Sequence, residues 1–446
     1  MPALNSVEPI GSAAPNTLKT NAGYIQLLIW GLLGFVAAQR FTLPQVTGYL
    51  CLVPLIGAIL CFTSNTPRRN SLLLLALLWS VDNAVLEYGA THFSIRYAIY
   101  IAAVLALAQG TAILRQRLLF ITLLAAFYSA VTIFHADMIR ILQFWRDMQI
   151  TVLLIILFGL RPKKAFNVDI PLTVAATTGY LISENINFFA FQSAWYKEYM
   201  SYSTTKFLIV FPSLLALLSG RVIVANLLIL LTIPVLVGYA GRVLFLLYIM
   251  AIFGIAAFMI LKRGYLRYLL LVGGAAAIIV ITASQLDIYS TLESYKSLSS
   301  ILLILEHGIN SVQFLDPVRY AESAMYFQLP VLELLFGRGW GAGLADTGGF
   351  LGFVAPNQFA FSIQELNSNI YYGFHDVWVD IGLRFGLLFF ALFMLWLLLQ
   401  VPSRDYSLLA IWVVSLIGVI AAFYGTGGLI ATFLLIRIVT TKSTQI

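Results

Sequence analysis

The chain has 446 residues, of which 61% are hydrophobic and only 10% are charged. A soluble domain carries about 25% charged residues, so this composition excludes an ordinary soluble protein. Hydrophobic runs recur along most of the sequence, and many approach the length of about 20 residues that a helix needs to cross a bilayer. The sequence therefore predicts an all-α polytopic membrane protein, because a membrane barrel would show alternating polar and apolar residues.

The predicted elements begin after a polar, proline-containing tail, residues 1–21. The tail lacks the charged-then-apolar layout of a cleaved signal, so we expect the first hydrophobic run to remain in the membrane. The predicted spans are 22–38, 43–63, 71–86, 96–114, 118–134, 147–160, 170–190, 204–219, 222–238, 243–261, 266–285, 377–400, 407–423 and 427–440. Asp82 and Glu184 interrupt two of them and the last two are short, so we expect twelve to fourteen transmembrane helices.

The basic residues predict the orientation, because cytoplasmic loops are enriched in lysine and arginine. With a cytoplasmic tail, 15 basic residues fall in cytoplasmic loops and ten on the other side. Segment 286–376 has nine acidic and three basic residues, although the chain has a net charge of +7. We therefore expect 22–285 to form a bundle of about eleven helices, 286–376 a large, partly helical extracytoplasmic loop, and 377–446 the C-terminal helices and a short tail.

The large outer loop contains both helical and glycine-rich sequence. Asp316 and Pro317 predict a helix start, with aspartate as the N-cap and proline at the first helical position, and Pro330 predicts its end. Residues 296–315 predict an amphipathic helix on the membrane surface. Residues 337–352 contain seven glycines in sixteen positions, which predicts a mobile loop.

Three residues on the outer side are candidates for chemistry. Arg242 lies at the mouth of two spans, where it is either a phosphate clamp or an interfacial anchor. Arg319 falls in the first turn of the predicted helix, where it forms part of an anion site or is simply solvated. His375 precedes an apolar span, where it is either a general base or an ordinary interfacial histidine. Its neighbour Asp376 would orient the imidazole or cap the helix.

Other charged residues lie within or near the predicted spans and bear on the alternatives. Asp380 and Arg384 are four residues apart, which predicts an ion pair within one helix. Scattered acids near or within the spans (Asp82, Glu87 and Glu184) keep a proton-coupled transporter open as an alternative. The sequence contains no HExxH, GxSxG, P-loop or Cys/His cluster, so we expect no metal and no cofactor.

Four short motifs, taken in order, resemble those of the O-antigen ligase and O-antigen polymerase (Wzy-type) superfamily of membrane glycosyltransferases. AGRVLFLLY at Arg242, DPVR ending at Arg319, and LLFGRGWGAG at residues 334–343 are similar to three of that superfamily's elements. FHDVWVDIGLRFG, which contains His375, is similar to its H-N-x-x-L…G signature. The sequence departs from that signature at three positions: Asp376 in place of Asn, Val379 in place of Leu, and Phe389 in place of Gly.

The resemblance implies a GT-C-like fold in the bacterial inner membrane, with 286–376 in the periplasm. It implies glycosyl transfer from a saccharide on undecaprenyl diphosphate to a sugar hydroxyl. By carry-over, Arg242 and Arg319 would hold the diphosphate, and His375 would activate the acceptor hydroxyl. Two guanidinium groups can replace a metal ion, so we expect a metal-independent reaction that inverts the anomeric carbon.

The substrate and partners are expectations of the same kind. Polymerisation of O-antigen, capsule or exopolysaccharide repeat units is favoured over ligation of the glycan to lipid A-core, and a transporter or flippase is the alternative from another class. Partners would be the lipid-linked donor, the glycan acceptor, the bilayer and a chain-length regulator, with no nucleic acid. The candidate substrate-binding residues are Arg338, Trp340, Tyr371, Tyr372 and Asp376, although aromatic residues at such a position also form interfacial belts.

Overall fold

The computed structural model describes residues 21–39, 49–61, 66–81, 90–108, 111–113, 115–135, 139–162, 167–190, 206–239, 242–263, 274, 317–352, 361–374, 377–399 and 409–413. The structure is mostly helical, as predicted. The chain divides into two compact units. The first unit comprises Met1–Ala102, Phe166–Thr291 and Arg404–Val414, and the second unit comprises Ala103–Ala165, Leu292–Ser403 and Ser415–Ile446.

The helices and strands of the described part have the following bounds. The helices are α1 Asn21–Ala37, α2 Leu52–Leu60, α3 Pro67–Val81, α4 Ala90–Ala108, α5 Arg115–Phe134, α6 Ile141–Gly159, α7 Ile170–Ala190, α8 Lys206–Leu218, α9 Val222–Tyr239, α10 Arg242–Arg263, α11 Pro317–Phe327, α12 Val331–Phe336, α13 Ile363–Ser368 and α14 Val377–Leu399. Two antiparallel strand pairs join β1 Thr111–Ile113 to β2 Leu160–Pro162 and β3 Leu344–Ala345 to β4 Ile370–Tyr371.

Most predicted spans overlap these helices where both are described, but residues 111–113 of the predicted span 96–114 form strand β1 and not helix. Spans 22–38, 170–190, 222–238 and 243–261 coincide within two residues with α1, α7, α9 and α10. The helical prediction is confirmed. Its physical reason is that an apolar segment of this length satisfies its own backbone polar groups by forming a helix.

Two helices in the described part are long and apolar enough to cross a bilayer. They are α5 and the stretch Trp378–Trp396 of α14. Several other apolar helices fall below that length, for example Val222–Leu236. The number of twelve to fourteen spans and the sidedness of the loops stay predictions. Span 427–440 lies outside the described residues, and of span 266–285 only residue 274 is described.

In the first unit, α1 crosses α7 at a patch of small residues. A Cβ atom on Gly34 would lie 2.0 Å from the carbonyl oxygen of Ala176. A Cβ atom on Gly179 would lie 1.8 Å from the carbonyl oxygen of Gly31. Both distances are far below van der Waals contact, so hydrogen is the largest side chain that fits here. Small residues at a crossing let two apolar helices bring their backbones together.

Replacing Gly34 with alanine is expected to destabilise the first unit by about 1–3 kcal/mol, because an overpacked crossing forces the helices apart. Gly254→Ala on α10 is the matched control, since its added Cβ would lie 3.5 Å from Ala410 Cβ, an ordinary contact. Thermal unfolding of both variants in one detergent measures the difference. Equal melting temperatures for the two variants would show that α1 and α7 do not need this close approach.

The start of α3 differs from the sequence-based prediction. The helix begins at Pro67 rather than at residue 71, because proline is well suited to the first helical position. Arg69, predicted to lie in a cytoplasmic loop, is therefore helical and fully buried. Its guanidinium donates to Asn70 Oδ1 at 3.0 Å. The position of Arg69 in a loop is therefore wrong, whereas its placement on the cytoplasmic side stays a prediction.

In the second unit, the outer segment folds around a small apolar core. Helix α11 begins at Pro317 and ends at Phe327, and α12 follows Pro330, as the proline positions predict. The shared core is formed by Ala321, Met325, Tyr326, Leu329, Leu344, Leu351, Phe361, Tyr371, Phe374, Val379 and Leu383. This core joins α11 and the β3–β4 pair to the first turns of α14. The amphipathic helix predicted at 296–315 lies outside the described residues.

Candidate functional site

The glycine-rich segment at residues 337–343, here called the glycine turn, is tightly packed. Gly337, Gly339 and Gly341 have φ angles of 75°, 91° and 71°, which residues with a Cβ rarely adopt. A Cβ on Gly339 would lie 2.2 Å from Thr132 Oγ1 of α5, and one on Gly341 would lie 2.8 Å from Phe144 Cβ of α6. The expectation of a mobile loop is therefore wrong for the glycine turn.

Consecutive backbone amides of the glycine turn are also hydrogen bonded to the helices around it. Their acceptors are carbonyl groups of α14 and side chains of α5 and α6. The bonds run from Arg338 N to Leu383 O at 2.6 Å, from Gly339 N to Arg384 O at 3.1 Å, from Trp340 N to Thr132 Oγ1 at 2.8 Å, and from Gly341 N to Asp147 Oδ2 at 2.8 Å. Glycine serves here to allow close backbone approach.

Helix α14 provides these carbonyl acceptors because it is interrupted at Gly386. That residue has φ 79° and ψ 161°, which is not helical. Such an interruption leaves carbonyl groups of the preceding turn without their usual helical partners. A Cβ on Gly386 would lie 2.0 Å from the carbonyl oxygen of Leu335. The same glycine therefore frees acceptors for the glycine turn and lets α12 pack directly on α14.

A buried charge cluster, defined as Arg146, Asp147, Asp380 and Arg384, connects α6 to α14. Arg384 Nε lies 2.5 Å from Asp147 Oδ2, and its Nη1 pairs with Asp380 Oδ1. Arg146 Nη2 lies 3.9 Å from Asp380 Oδ2. The Asp147 and Arg384 side chains are only 1% and 3% exposed, whereas the Arg146 side chain is 35% exposed. The ion pair predicted between Asp380 and Arg384 is confirmed, and the cluster has two charges of each sign.

The buried charge cluster also binds the backbone just before His375. Arg384 Nη1 donates to the carbonyl oxygen of Asp380 at 2.6 Å, and its Nη2 donates to the carbonyl oxygen of Tyr372 at 3.0 Å. The amide of Phe374 donates to Asp380 Oδ1 at 3.4 Å. His375 is the next residue in the sequence, and α14 begins two residues later.

The β3–β4 pair is fixed by carboxylates of its own. Glu365 forms a capping box with Ser362 at the start of α13, and its Oε1 accepts a hydrogen bond from Tyr372 N at 3.0 Å. Burial raises the pKa of the Tyr371 hydroxyl, and the nearby carboxylates of Asp346 and Glu365 raise that pKa further. The Tyr371 side chain therefore stays neutral and acts as part of the framework.

The predicted substrate-binding aromatics occupy unequal positions. Trp340 and Tyr371 are both buried, and Trp340 packs edge-on against Phe144 with ring centroids 6.0 Å apart. Both rings pack within the second unit, and their assignment to substrate or to an interfacial belt stays a prediction. Tyr372 is half-buried, and the guanidinium carbon of Arg140 lies 5.7 Å from its ring centroid, within the range of a cation–π contact.

The side chain of Arg338 stabilises the glycine turn by contacts on both sides of it. Its Nε lies 2.6 Å from Glu333 Oε2, and its Nη1 donates to the carbonyl oxygen of Gly343 at 3.2 Å. The Arg338 side chain is 13% exposed. In the structure this guanidinium is engaged with α12 and the glycine turn, and its assignment to substrate stays a prediction.

Arg319 lies near the start of α11, on the helix face that contacts the first turn of α14 further along. It is the third residue of α11 and its side chain is exposed. Residues seven apart on a helix share a face, so Arg319 lies on the same face as Tyr326. The Tyr326 ring packs edge-on against Trp378 with centroids 5.6 Å apart, and burial raises the pKa of the Tyr326 hydroxyl. Trp378 is three residues after His375 in the sequence.

Three predicted site residues cannot be placed with their side chains. His375 and Asp376 lie outside the described residues. Arg242 is the first residue of α10, in the first unit, and its side chain also lies outside the described residues. Their roles in binding and catalysis stay predictions.

The second unit also has an apolar groove that the sequence did not predict. It has a volume of about 340 Å³ and lies between α5 and α12, with Glu333 and Gly337 among its lining residues. The other lining residues are Phe127, Val131, Phe134, His135, Leu332 and Phe336. No local pattern could have revealed the groove, because its two walls are about 200 residues apart in the sequence.

Within the described ranges, no group of three or more His, Cys, Asp or Glu side chains is arranged to hold a metal ion. Comparisons of the chain with protein-family models, with curated proteins and with solved structures found no match.

Proposed function

We propose that this protein is a polytopic glycosyltransferase of the bacterial inner membrane. It transfers a saccharide from undecaprenyl diphosphate to a sugar hydroxyl on the periplasmic face. The most suitable reaction is polymerisation of O-antigen, capsule or exopolysaccharide repeat units, and ligation to lipid A-core is the same chemistry with another acceptor. The candidate catalytic residues are His375, Arg319 and Arg242.

One observation carries this proposal: three of the four motifs lie in one packed unit. The glycine turn is hydrogen bonded to α14 next to Gly386. Helix α11, which bears Arg319, packs through Tyr326 on Trp378 at the head of the same helix. Segments that are well separated in the sequence therefore meet at the first turns of α14, and His375 precedes that helix by two residues in the sequence. A histidine and a guanidinium near the end of an apolar helix would suit chemistry on a lipid-linked anion.

The proposed reaction is a single displacement. The acceptor hydroxyl oxygen attacks the anomeric carbon while the bond from that carbon to the diphosphate oxygen breaks. The bonding electron pair leaves with the diphosphate, and the hydroxyl proton passes to the imidazole of His375. Arg319 and Arg242 stabilise the negative charge that the diphosphate gains. Charge stabilisation aimed at the leaving group contributes about 3–4 kcal/mol per donor.

The apolar groove supports a lipid-linked donor. Apart from His135 and Glu333, the lining residues offer hydrocarbon and aromatic surface. A groove of this composition suits an isoprenoid or acyl chain, because such a chain loses no hydrogen bonds when it is buried there. Gly337, which lines the groove, is also the first residue of the glycine turn, so a chain bound in the groove would contact that turn.

Transfer by the purified protein in detergent tests the proposed function. The donor is the undecaprenyl-diphosphate-linked oligosaccharide extracted from the bacterium that encodes the protein. A ladder of products together with free undecaprenyl diphosphate indicates a polymerase, whereas one transfer to added lipid A-core indicates a ligase. Absence of both products, with movement of the intact donor across proteoliposomes, would replace the proposal with the flippase alternative.

Chelation of divalent metals is expected to leave transfer unchanged. In the proposed reaction the leaving diphosphate is neutralised by Arg319 and Arg242, so no metal ion is required. Initial rates in excess EDTA, compared with rates in Mg²⁺, measure this directly. Complete loss of transfer in EDTA that Mg²⁺ restores would contradict the assignment of charge stabilisation to the two arginines.

A further inference from the structure

The buried charge cluster is costly to bury, so its contacts are informative. Taking a charged group out of water costs several kcal/mol after relaxation, about as much as pairing recovers, so such clusters contribute little net stability. Such clusters instead fix the relative positions of the groups that they bind, since a guanidinium has its hydrogen-bond donors in one rigid plane. Arg384 uses that plane to contact Asp147, Asp380 and the carbonyl oxygen of Tyr372 together.

The side chains of the cluster also form hydrogen bonds with two segments of backbone. One is the glycine turn, where the amide of Gly341 donates to Asp147 Oδ2 at 2.8 Å. The other is the chain before His375, where Tyr372 O and Phe374 N are bound by Arg384 and Asp380. Asp147 is held in turn by Gln143, whose Nε2 donates to Asp147 Oδ1 at 2.9 Å. The cluster therefore fixes the position of backbone that no regular helix or long strand supports.

We propose that the buried charge cluster is a positioning device for His375, an inference that rests on the proposed function. Arg384 binds the carbonyl oxygen of Tyr372, and Asp380 accepts from the amide of Phe374, the residue before His375. Asp147 binds both Arg384 and the amide of Gly341, and so fixes the position of the glycine turn relative to Arg384. Arg384, Asp380 and Asp147 are thus positioning residues, which act on the reaction only through the chain that bears the imidazole.

A purely structural role makes a different prediction. If the cluster only joined α6 to α14, weakening it would lower the amount of folded protein and loosen α14 along its length. The turnover number of the folded fraction would stay unchanged. A positioning role lowers kcat with little change in KM, because the catalytic group is misplaced while substrate binding persists.

Conservative variants of two cluster residues test the proposal in the full-length protein. Arg384→Lys keeps the positive charge but loses the planar fork that reaches Tyr372 O. Asp380→Asn keeps an acceptor for Phe374 N and loses the charge. Asp169→Asn in the first unit is the matched control, since Asp169 Oδ1 accepts from Leu172 N at the start of α7 and asparagine caps a helix equally well.

Two measurements are made on each variant. Hydrogen exchange by mass spectrometry compares the peptide covering 371–378 with the peptide covering 170–190, and needs no substrate. Exchange in 371–378 is expected to be about tenfold faster in both cluster variants, because local opening becomes more frequent. Steady-state transfer is expected to show a kcat about 10-fold to 100-fold lower with a similar KM. The Asp169→Asn control should match wild type in both.

The outcomes separate the two proposals. Faster exchange at 371–378 with unchanged kcat overturns the positioning role, and so does unchanged exchange in both cluster variants. Faster exchange along all of α14 with an unchanged kcat of the folded fraction assigns the cluster to structure alone. Absence of transfer in the wild-type protein overturns the proposed function and with it the catalytic part of this inference, whereas the exchange measurement still reports whether the cluster holds the turn.

Discussion

Replacing His375 with alanine is expected to lower the rate of glycosyl transfer by about 100-fold to 10,000-fold, the range that a positioned general base contributes. The acceptor hydroxyl then has no group to take its proton as the new bond to the anomeric carbon forms. Donor binding should persist, because the diphosphate is held by guanidinium groups and not by the imidazole. Initial rates and KM for the lipid-linked donor, measured on the purified variant, separate these effects.

His92→Ala is the matched control for this change. His92 belongs to α4 and has no role in the proposed reaction. The substitution is again histidine to alanine, so the chemical change is the same. Its rate should equal that of the wild type. Full activity in His375→Ala would overturn the assignment of the base. A rate loss in His375→Ala accompanied by an equal loss in His92→Ala would show that the assay responds to damage to the protein and not to the missing imidazole.

Replacing Arg384 with alanine is expected to destabilise the second unit by about 3–5 kcal/mol, because it leaves buried charges without their partner. Asp147 would lose the guanidinium that lies 2.5 Å away, although its side chain is only 1% exposed. Asp380 would lose the same partner and keep only the more distant Arg146. Unfolding of the purified variant in detergent, followed by circular dichroism, measures the loss.

Arg117→Ala on α5 is the control, since the Arg117 side chain is exposed and surface substitutions usually have small effects. A fall in melting temperature confined to Arg384→Ala supports the description of the cluster. If both variants melt together, Asp147 and Asp380 must be accommodated without Arg384, and the cluster cannot be what connects α6 to α14.

Several features of the fold were predictable because their causes are local. Long hydrophobic runs predicted the helices, and Pro317 and Pro330 predicted where α11 begins and where its segment ends. The spacing of Asp380 and Arg384 predicted their ion pair, since residues four apart on a helix are neighbours. Each of these inferences uses residues within one or two helical turns.

The candidate site was only partly predictable. Glycine composition indicated a mobile loop, yet the glycines at 337, 339 and 341 are required by close packing. Composition cannot distinguish the two cases, because the same lack of a Cβ permits both motion and close approach. The packing of Trp340 was not predictable for a different reason: it involves Phe144, which is distant in the sequence.

The sequence by itself determined the helical class, the approximate bounds of most described helices and the order of the four motifs, because hydrophobic periodicity and helix caps act over a few residues. Only the tertiary structure decided that Asp147 is the second partner of Arg384, that Asp147 binds the glycine turn and that Arg384 binds the chain before His375. Those contacts join residues from distant helices. Their formation depends on how whole helices pack, and no short stretch of sequence contains that information.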